Sequence, residues 1–422
     1  MKNLKELSAS KNPKLDVIWK FAENTAAYAL PVFFQQFIVY PLMAKKLGAE
    51  VNGLFLALIA LNYFIINITA SVLVNTRLLR TKEYEAAGEQ GDYNAFLLIF
   101  ALLGSAAVLI GTLYYAGGTA TFIDTVLSIL VLLLFLYHDY IAVQYRSELR
   151  FSNILINNLI ICAGYLAGLA VMWFVLPYWQ MVFIVPYLLT GIYDWFNTDY
   201  IREPLRITPL LGGTAKQYFI LLGSTLLSTV VTYGDRLILL PLLDGTSVSV
   251  FSSAQLIGKM LQMVSTPLST FILAYLVRKN SLSLKLRTKH WLAVIAAGGV
   301  LYLACILVSR PLIGFLYPGW AAQSLEYVPF TAATGLLHMT NVILNVVILR
   351  FGKKWWQILK SSVYLAAYMI FSFTLLSLFE LRGFCIGNLL ASVSEFVLLL
   401  VLSVKTGIFS GKMKVTQAEP ES

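Results

Sequence analysis

The sequence predicts an all-α polytopic membrane protein, and three observations predict it. Composition comes first: 59% of the 422 residues are hydrophobic and only 12% are charged, about half the charged share of a soluble globular protein. A chain of this length with so little charge cannot cover a water-facing surface, and its mean hydropathy of +0.76 agrees. The second observation is a succession of apolar runs, about twelve of them, near the ~20 residues that a bilayer-spanning helix needs. The third is that Lys and Arg collect in short loops between those runs.

In chain order the runs are 17–43, 50–74, 94–116, 121–145, 153–175, 179–199, 216–243, 247–277, 291–312, 324–349, 358–379 and 383–404. The first carries Lys20 and Glu23 near its start and Pro31 and Pro41 further on, where a missing amide donor bends a helix. The second ends at Arg77 and Arg80, and Gly117-Gly118 separate the third from the fourth. Asn153, Asn157 and Asn158 open the fifth, and the sixth carries Asp194 and Asp199. The seventh and eighth hold Arg236 and Lys259 inside their apolar stretches. Trp179, Trp291, Trp320, Trp355 and Trp356 fall at the ends of the later runs, as expected of the aromatic belts at membrane interfaces.

Orientation follows from the basic residues. With the N-terminus inside, 25 of the 31 Lys and Arg lie on the cytoplasmic side. Lys45, Lys46, Arg310 and Arg382 fall outside, and Arg236 and Lys259 lie within helices. That bias predicts both termini in the cytoplasm. The same distribution removes a nucleic-acid reading of the net charge of +10, because the charges flank apolar runs instead of forming a stripe. Cys162, Cys305 and Cys385 all sit inside apolar runs, which argues against disulfides and metal sites. Residues 1–16 are polar and basic, and the first apolar run is too long for a cleavable signal sequence. The tail 411–422 is polar and expected to be disordered.

The chain reads as internally duplicated. Tyr40-Pro41-Leu42 ends the first run and Leu240-Pro241-Leu242 ends the seventh; Gly53-Leu54-Phe55 follows one and Ser249-Val250-Phe251 the other. Arg77 and Arg80 close the second run, and Arg278 closes the eighth. A repeat spanning six helices predicts two parallel halves, an N-terminal lobe over 1–205 and a C-terminal lobe over 206–410.

The stretch Tyr40 to Asn62, YPLMAKKLGAEVNGLFLALIALN, resembles the opening signature of Wzx-type polysaccharide flippases of the multidrug/oligosaccharidyl-lipid/polysaccharide exporter superfamily. Lys46-Leu47-Gly48 and Gly53-Leu54-Phe55 carry the likeness, with Gly234-Asp235-Arg236 and Val250-Phe251-Ser252-Ser253-Ala254 in the second half. Lys46 stands where Arg is usual and Phe251 where Tyr is common. The resemblance implies two pseudo-symmetric six-helix lobes around a central cavity lined by the first, second, seventh and eighth helices. It also implies alternating access that moves an undecaprenyl-pyrophosphate-linked oligosaccharide from the inner to the outer leaflet of a bacterial cytoplasmic membrane. The implied partners are the lipid-linked oligosaccharide, membrane lipids and other polysaccharide-assembly proteins.

Charges inside the apolar runs mark candidate sites, since a charge at the bilayer centre costs roughly 2.5–3.5 kcal/mol on insertion scales. Arg236 and Lys259 are candidates for a basic cavity lining that meets pyrophosphate or acidic sugars; an ion pair of Arg236 with Asp235 is the structural alternative. Arg77, Arg80 and Arg278, at the cytoplasmic mouths, present paired donors that match phosphate oxygens, although positive-inside flanking explains the same placement. Glu23, Asn24 and Asp235 are candidates for ion coupling or gating, with a Lys20–Glu23 pair as the alternative. His338, Asn341 and Asn345 share one helical face and form a polar stripe that suits sugar hydroxyls or hydrogen bonding within the lobe. Asp139 and Asp194 are expected to pair with Arg146 and Arg202, and Glu395 has no partner near it in sequence. No nucleotide-binding loop and no metal-ligand spacing occur, so the chain is not read as an enzyme, and its expected energy source is a Na⁺ or H⁺ gradient. A drug or small-cation antiporter of the same superfamily is the alternative function, and a membrane oligosaccharide polymerase or ligase a third.

Overall fold

The computed structural model describes residues 29–148, 150–277, 288–353 and 355–405, and among these it contains helices and no strand. Twelve helices fall on the twelve apolar runs: α1 (29–47), α2 (49–87), α3 (Asp92–Tyr115), α4 (Phe122–Ser147), α5 (Phe151–Phe174), α6 (Met181–Asn197), α7 (Leu211–Leu242), α8 (Gly245–Ala254 continued by Leu256–Val277), α9 (Thr288–Leu316), α10 (Ala321–Phe351), α11 (355–378) and α12 (381–405). Gly48, at φ 75° and ψ 171°, breaks α1 from α2. Phe379 and Glu380 leave helical geometry between α11 and α12, and Glu380 is a non-glycine residue at φ 49°. Among the described residues, seven helical stretches are long and apolar enough to cross a membrane, two of them being the α1–α2 and α11–α12 rods. The protein is therefore a multi-pass α-helical membrane protein. Of the rest, α6 has 17 residues, and α7 interrupts its apolar run with Ser224, Ser228, Thr229 and Thr232.

The helices form two compact units, Met1–Pro241 and Leu242–Ser422. α7 thus packs with α1–α6, whereas the sequence duplication divides the lobes at 205/206. Tyr218 holds α7 in the first unit: its ring stacks 5.8 Å from Phe96 and 5.1 Å from Phe100 of α3. The loop leading into α7 is also strapped down. Asn94 donates to the carbonyls of Tyr200, Ile201 and Glu203, and the buried Asp92 accepts from the backbone and hydroxyl of Thr208 and from Tyr84.

Lipid offers no hydrophobic drive between helices, so close packing of small residues does that work. Gly164-x₃-Gly168 of α5 lies against α6, where a Cβ at Gly164 would stand 2.4 Å from the Cα of Pro186. In the second unit, Gly383-x₃-Gly387 of α12 lies against α11, with a Cβ at Gly387 only 2.5 Å from the Cα of Ser372.

Candidate functional site

Two π-helical turns interrupt the first unit, Gln35–Val39 in α1 and Asn67–Ser71 in α2. A π turn holds one extra residue, weakens the helix locally and recurs at functional sites. Here both turns carry polar side chains into the apolar unit. Gln35 donates to the Tyr63 hydroxyl at 2.8 Å, Asn67 donates to the Tyr233 hydroxyl of α7 at 3.2 Å, and Ser71 donates to Asp139 Oδ2 of α4 at 3.1 Å. The Tyr63 and Tyr233 rings stack with centroids 5.9 Å apart, and Tyr63 also stacks on Phe135 at 5.4 Å. Tyr63, Asn67, Ser71 and Asn75 recur at four-residue spacing, so they form one polar seam along α2.

α7 supplies a matching strip. Ser224, Ser228 and Thr232 are exposed, and each hydroxyl proton is spent on a carbonyl of its own helix, those of Leu221, Thr225 and Ser228. Their lone pairs are left outward as acceptors. The phenols of Tyr63 and Tyr233 accept from Gln35 and Asn67 and keep their own protons to donate. α1, α2 and α7 thus carry amide, hydroxyl and phenol groups that can hydrogen-bond a polyhydroxylated group in place of water.

Of the candidate residues, Arg236 lies one turn beyond Thr232 on α7. It is buried, electrostatically close to Tyr40 and Tyr233, and its Nε has no hydrogen-bond partner. Asp235 accepts the backbone N–H of Arg236 at 2.7 Å and is also buried. Arg77 is engaged from several sides. It donates to Tyr140 and Glu203, and its guanidinium lies 3.4 Å from the Tyr200 ring centroid and 4.9 Å from that of Tyr93. Arg80 pairs with Glu83 at 2.5 Å, and its guanidinium rests on Gly213 in the first turn of α7, close in sequence to the exposed Lys216. Lys259 lies in α8, half-buried. Glu23, Asn24 and Arg278 lie outside the described residues.

In the second unit, Asn341 donates to Glu395 Oε2 at 2.8 Å and to the Ser392 carbonyl at 3.2 Å, and Lys360 stands 3.6 Å from Glu395 Oε1. The solitary Glu395 of the sequence therefore has its partners on α10 and α11. His338 is in the same electrostatic neighbourhood, and the Asn345 Oδ1 is buried without a partner. This part of the stripe forms hydrogen bonds within the unit.

Asp139 and Asp194 of the first unit take hydrogen bonds from neighbouring helices. Asp139 takes its hydrogen bond from Ser71. Asp194 accepts from Tyr145 at 2.8 Å and Asn157 at 2.9 Å and stands 3.6 Å from His138, while Arg202 pairs with Asp199 at 3.5 Å. Tyr63, Asn67, Ser71 and Tyr233 were not singled out in the sequence, although the four-residue polar spacing on α2 was visible there. Among the described residues no cluster of three or more His, Cys, Asp or Glu side chains could hold a metal.

No protein-family model matches the sequence, and no curated protein does. Solved structures do. The lipid II flippase MurJ, in an inward closed conformation, superposes at a TM-score of 0.61 with 15% identity over 92% of this chain and 88% of its own. An inward-facing MATE-family multidrug resistance transporter of the MOP superfamily gives 0.60 with 14% identity over 92% and 96%. An outward-facing MATE-family transporter gives 0.58 with 13% identity over 94% and 96%. This chain accordingly has the fold that MurJ and the MATE transporters share.

Proposed function

We propose that the protein is a secondary transporter that flips a lipid-linked oligosaccharide repeat unit, carried on undecaprenyl pyrophosphate, from the inner to the outer leaflet of a bacterial cytoplasmic membrane. The observation that supports it best is the polar seam of α2 and α7. A polar headgroup crossing hydrocarbon needs replacement hydrogen bonds along its route, since each unsatisfied polar group in lipid costs several kcal/mol. The seam offers acceptors at Ser224, Ser228 and Thr232 and phenol donors at Tyr63 and Tyr233. Arg80 lies beside Gly213 at the start of α7, and because its partner Glu83 is exposed its guanidinium can be given up to the diphosphate. Arg77 does not, because Glu203 and Tyr140 engage it. Transport proceeds by alternating access, drawing on an ion gradient, with both termini cytoplasmic and with membrane lipids and other polysaccharide-assembly proteins as partners. The second reading, an antiporter of cationic drugs, is favoured by one observation: the Asp139 carboxylate in the same seam.

The test is reconstitution. Proteoliposomes loaded with fluorescent undecaprenyl-diphosphate oligosaccharide should expose it to an external glycosidase faster than protein-free vesicles. Tyr233→Ala should slow that exposure roughly tenfold, the loss of about 1.4 kcal/mol of interaction, at unchanged protein yield. Ethidium movement without oligosaccharide movement would instead establish the antiporter.

A further inference from the structure

We propose that Asp139 is the ion-coupling carboxylate of this protein, binding one proton or one monovalent cation, and that the Asn67–Ser71 π turn of α2 reads its charge. The idea rests on the chain being an ion-driven transporter, whatever the cargo. Asp139 is half-buried within the apolar run of α4, where a carboxylate is expensive unless it is paired or functional. Among the described residues, no basic side chain pairs with Asp139; its one hydrogen bond comes from Ser71 at 3.1 Å. Tyr187 of α6 and Tyr233 of α7 feel its charge, with Asp235 and Arg236 acting on Tyr233 from beyond. His138, next to it on α4, stands toward Asp194 at 3.6 Å. Phenols and a hydroxyl solvate a charge but do not neutralise it.

The π turn is pinned on both sides. Ser71 at its end is held by Asp139 of α4. Asn67 at its start is tied to Tyr233, and the Ile68 carbonyl accepts from Tyr218, both on α7. A hydrogen bond to an ionised carboxylate is about twice as strong as one to a neutral acceptor. When a positive charge arrives on Asp139, Ser71 loses that advantage. Its hydroxyl can then turn back to its own helix, as Thr69 already does to the Ile65 carbonyl at 2.6 Å. Removing the extra residue of a π turn moves the helix beyond it by one position, about 100° of rotation. Through Tyr218 and Tyr233 that rotation is transmitted to the hydroxyl strip of α7. The charge on Asp139 and the seam that meets the cargo are thereby one mechanical unit.

Hydrogen exchange of residues 63–75 tests this without any cargo, so its failure leaves the flippase reading standing. The purified full chain in nanodiscs is measured across pH without Na⁺, then with NaCl replacing choline chloride at fixed pH, after correction for intrinsic exchange. The expected result is a roughly tenfold change in exchange of the turn, equivalent to about 1.4 kcal/mol. A response to pH identifies a proton, and a response to Na⁺ at fixed pH identifies the cation. Asp139→Asn should abolish the response, Asp139→Glu should keep it with a displaced midpoint, and Asp194→Asn should leave it as in the wild type. If Asp139→Asn does not fold, Ser71→Ala carries the same test and should flatten the response of the turn. A wild-type protein that responds to neither ion, or an Asp139→Asn or Ser71→Ala protein that responds like the wild type, overturns the proposal.

Discussion

Arg77 sits among Tyr93, Tyr140, Tyr200 and Glu203, and removing either half of the Arg77–Glu203 pair strands the other charge away from water. Breaking a buried pair from one side is costly, whereas replacing both halves with neutral groups of similar size is often tolerated. Glu203→Ala should therefore destabilise the detergent-solubilised protein by about 3 kcal/mol, read as a lowered melting temperature, and Arg77→Met with Glu203→Gln should recover most of the loss. Recovery in the double variant separates a structural pair from a phosphate receptor, which the neutral pair could not replace. Such residues also explain what the sequence disclosed. Charges inside apolar runs stand out, so Arg236, Asp235 and Glu395 were visible as anomalies. Their partners were not, because Glu395 meets Lys360 and Asn341 only after α10, α11 and α12 pack, and Ser71 meets Asp139 across 68 positions. Tyr63 and Tyr233 were overlooked since a tyrosine in an apolar run reads as core or interface.

At the scale of the element, glycines distinguish two environments. Gly164 faces Pro186 with no room for a side chain, while Gly298 on an exposed face of α9 has nothing within 4 Å. Gly164→Ala should cost about 1–3 kcal/mol through overpacking, and Gly298→Ala should gain about 0.5–1 kcal/mol by stiffening the unfolded chain. Paired thermal melts with opposite shifts would bear this out; equal shifts would not. Helix positions were legible because apolar length is a one-dimensional signal, and the breaks at Gly48 and Glu380 fell between expected runs. The π turns were not, because one additional residue changes the phase of a helix without changing its composition.

At the scale of the whole molecule, the charge bias makes a topological claim that labelling can check. Cysteines introduced at Gly118 and Gly245 should react with an impermeant maleimide on intact cells, and one at Glu85 should react only after permeabilisation. Reaction of Glu85→Cys from outside would invert the α2–α3 connection and with it the assigned direction of transport. The grouping of helices is harder to read from sequence, since what α7 packs against is decided by single contacts such as those of Tyr218 and Thr214.

The strapped connection between α6 and α7 has a bearing on biogenesis. α7 is broken by hydroxyls and carries Asp235 and Arg236, so a translocon releasing it alone into lipid would meet a poor candidate. By that moment α2 and α3 are already in the membrane, offering Asn67 to Tyr233 and the Phe96 and Phe100 rings to Tyr218. Insertion of α7 then becomes docking onto a waiting surface. A fragment ending at 243 should accumulate in the membrane on its own, because it contains every strap. A cut at 205/206 separates Asp92 from Thr208 and Tyr84 from Thr214 and should yield a first fragment that the cell's membrane proteases remove.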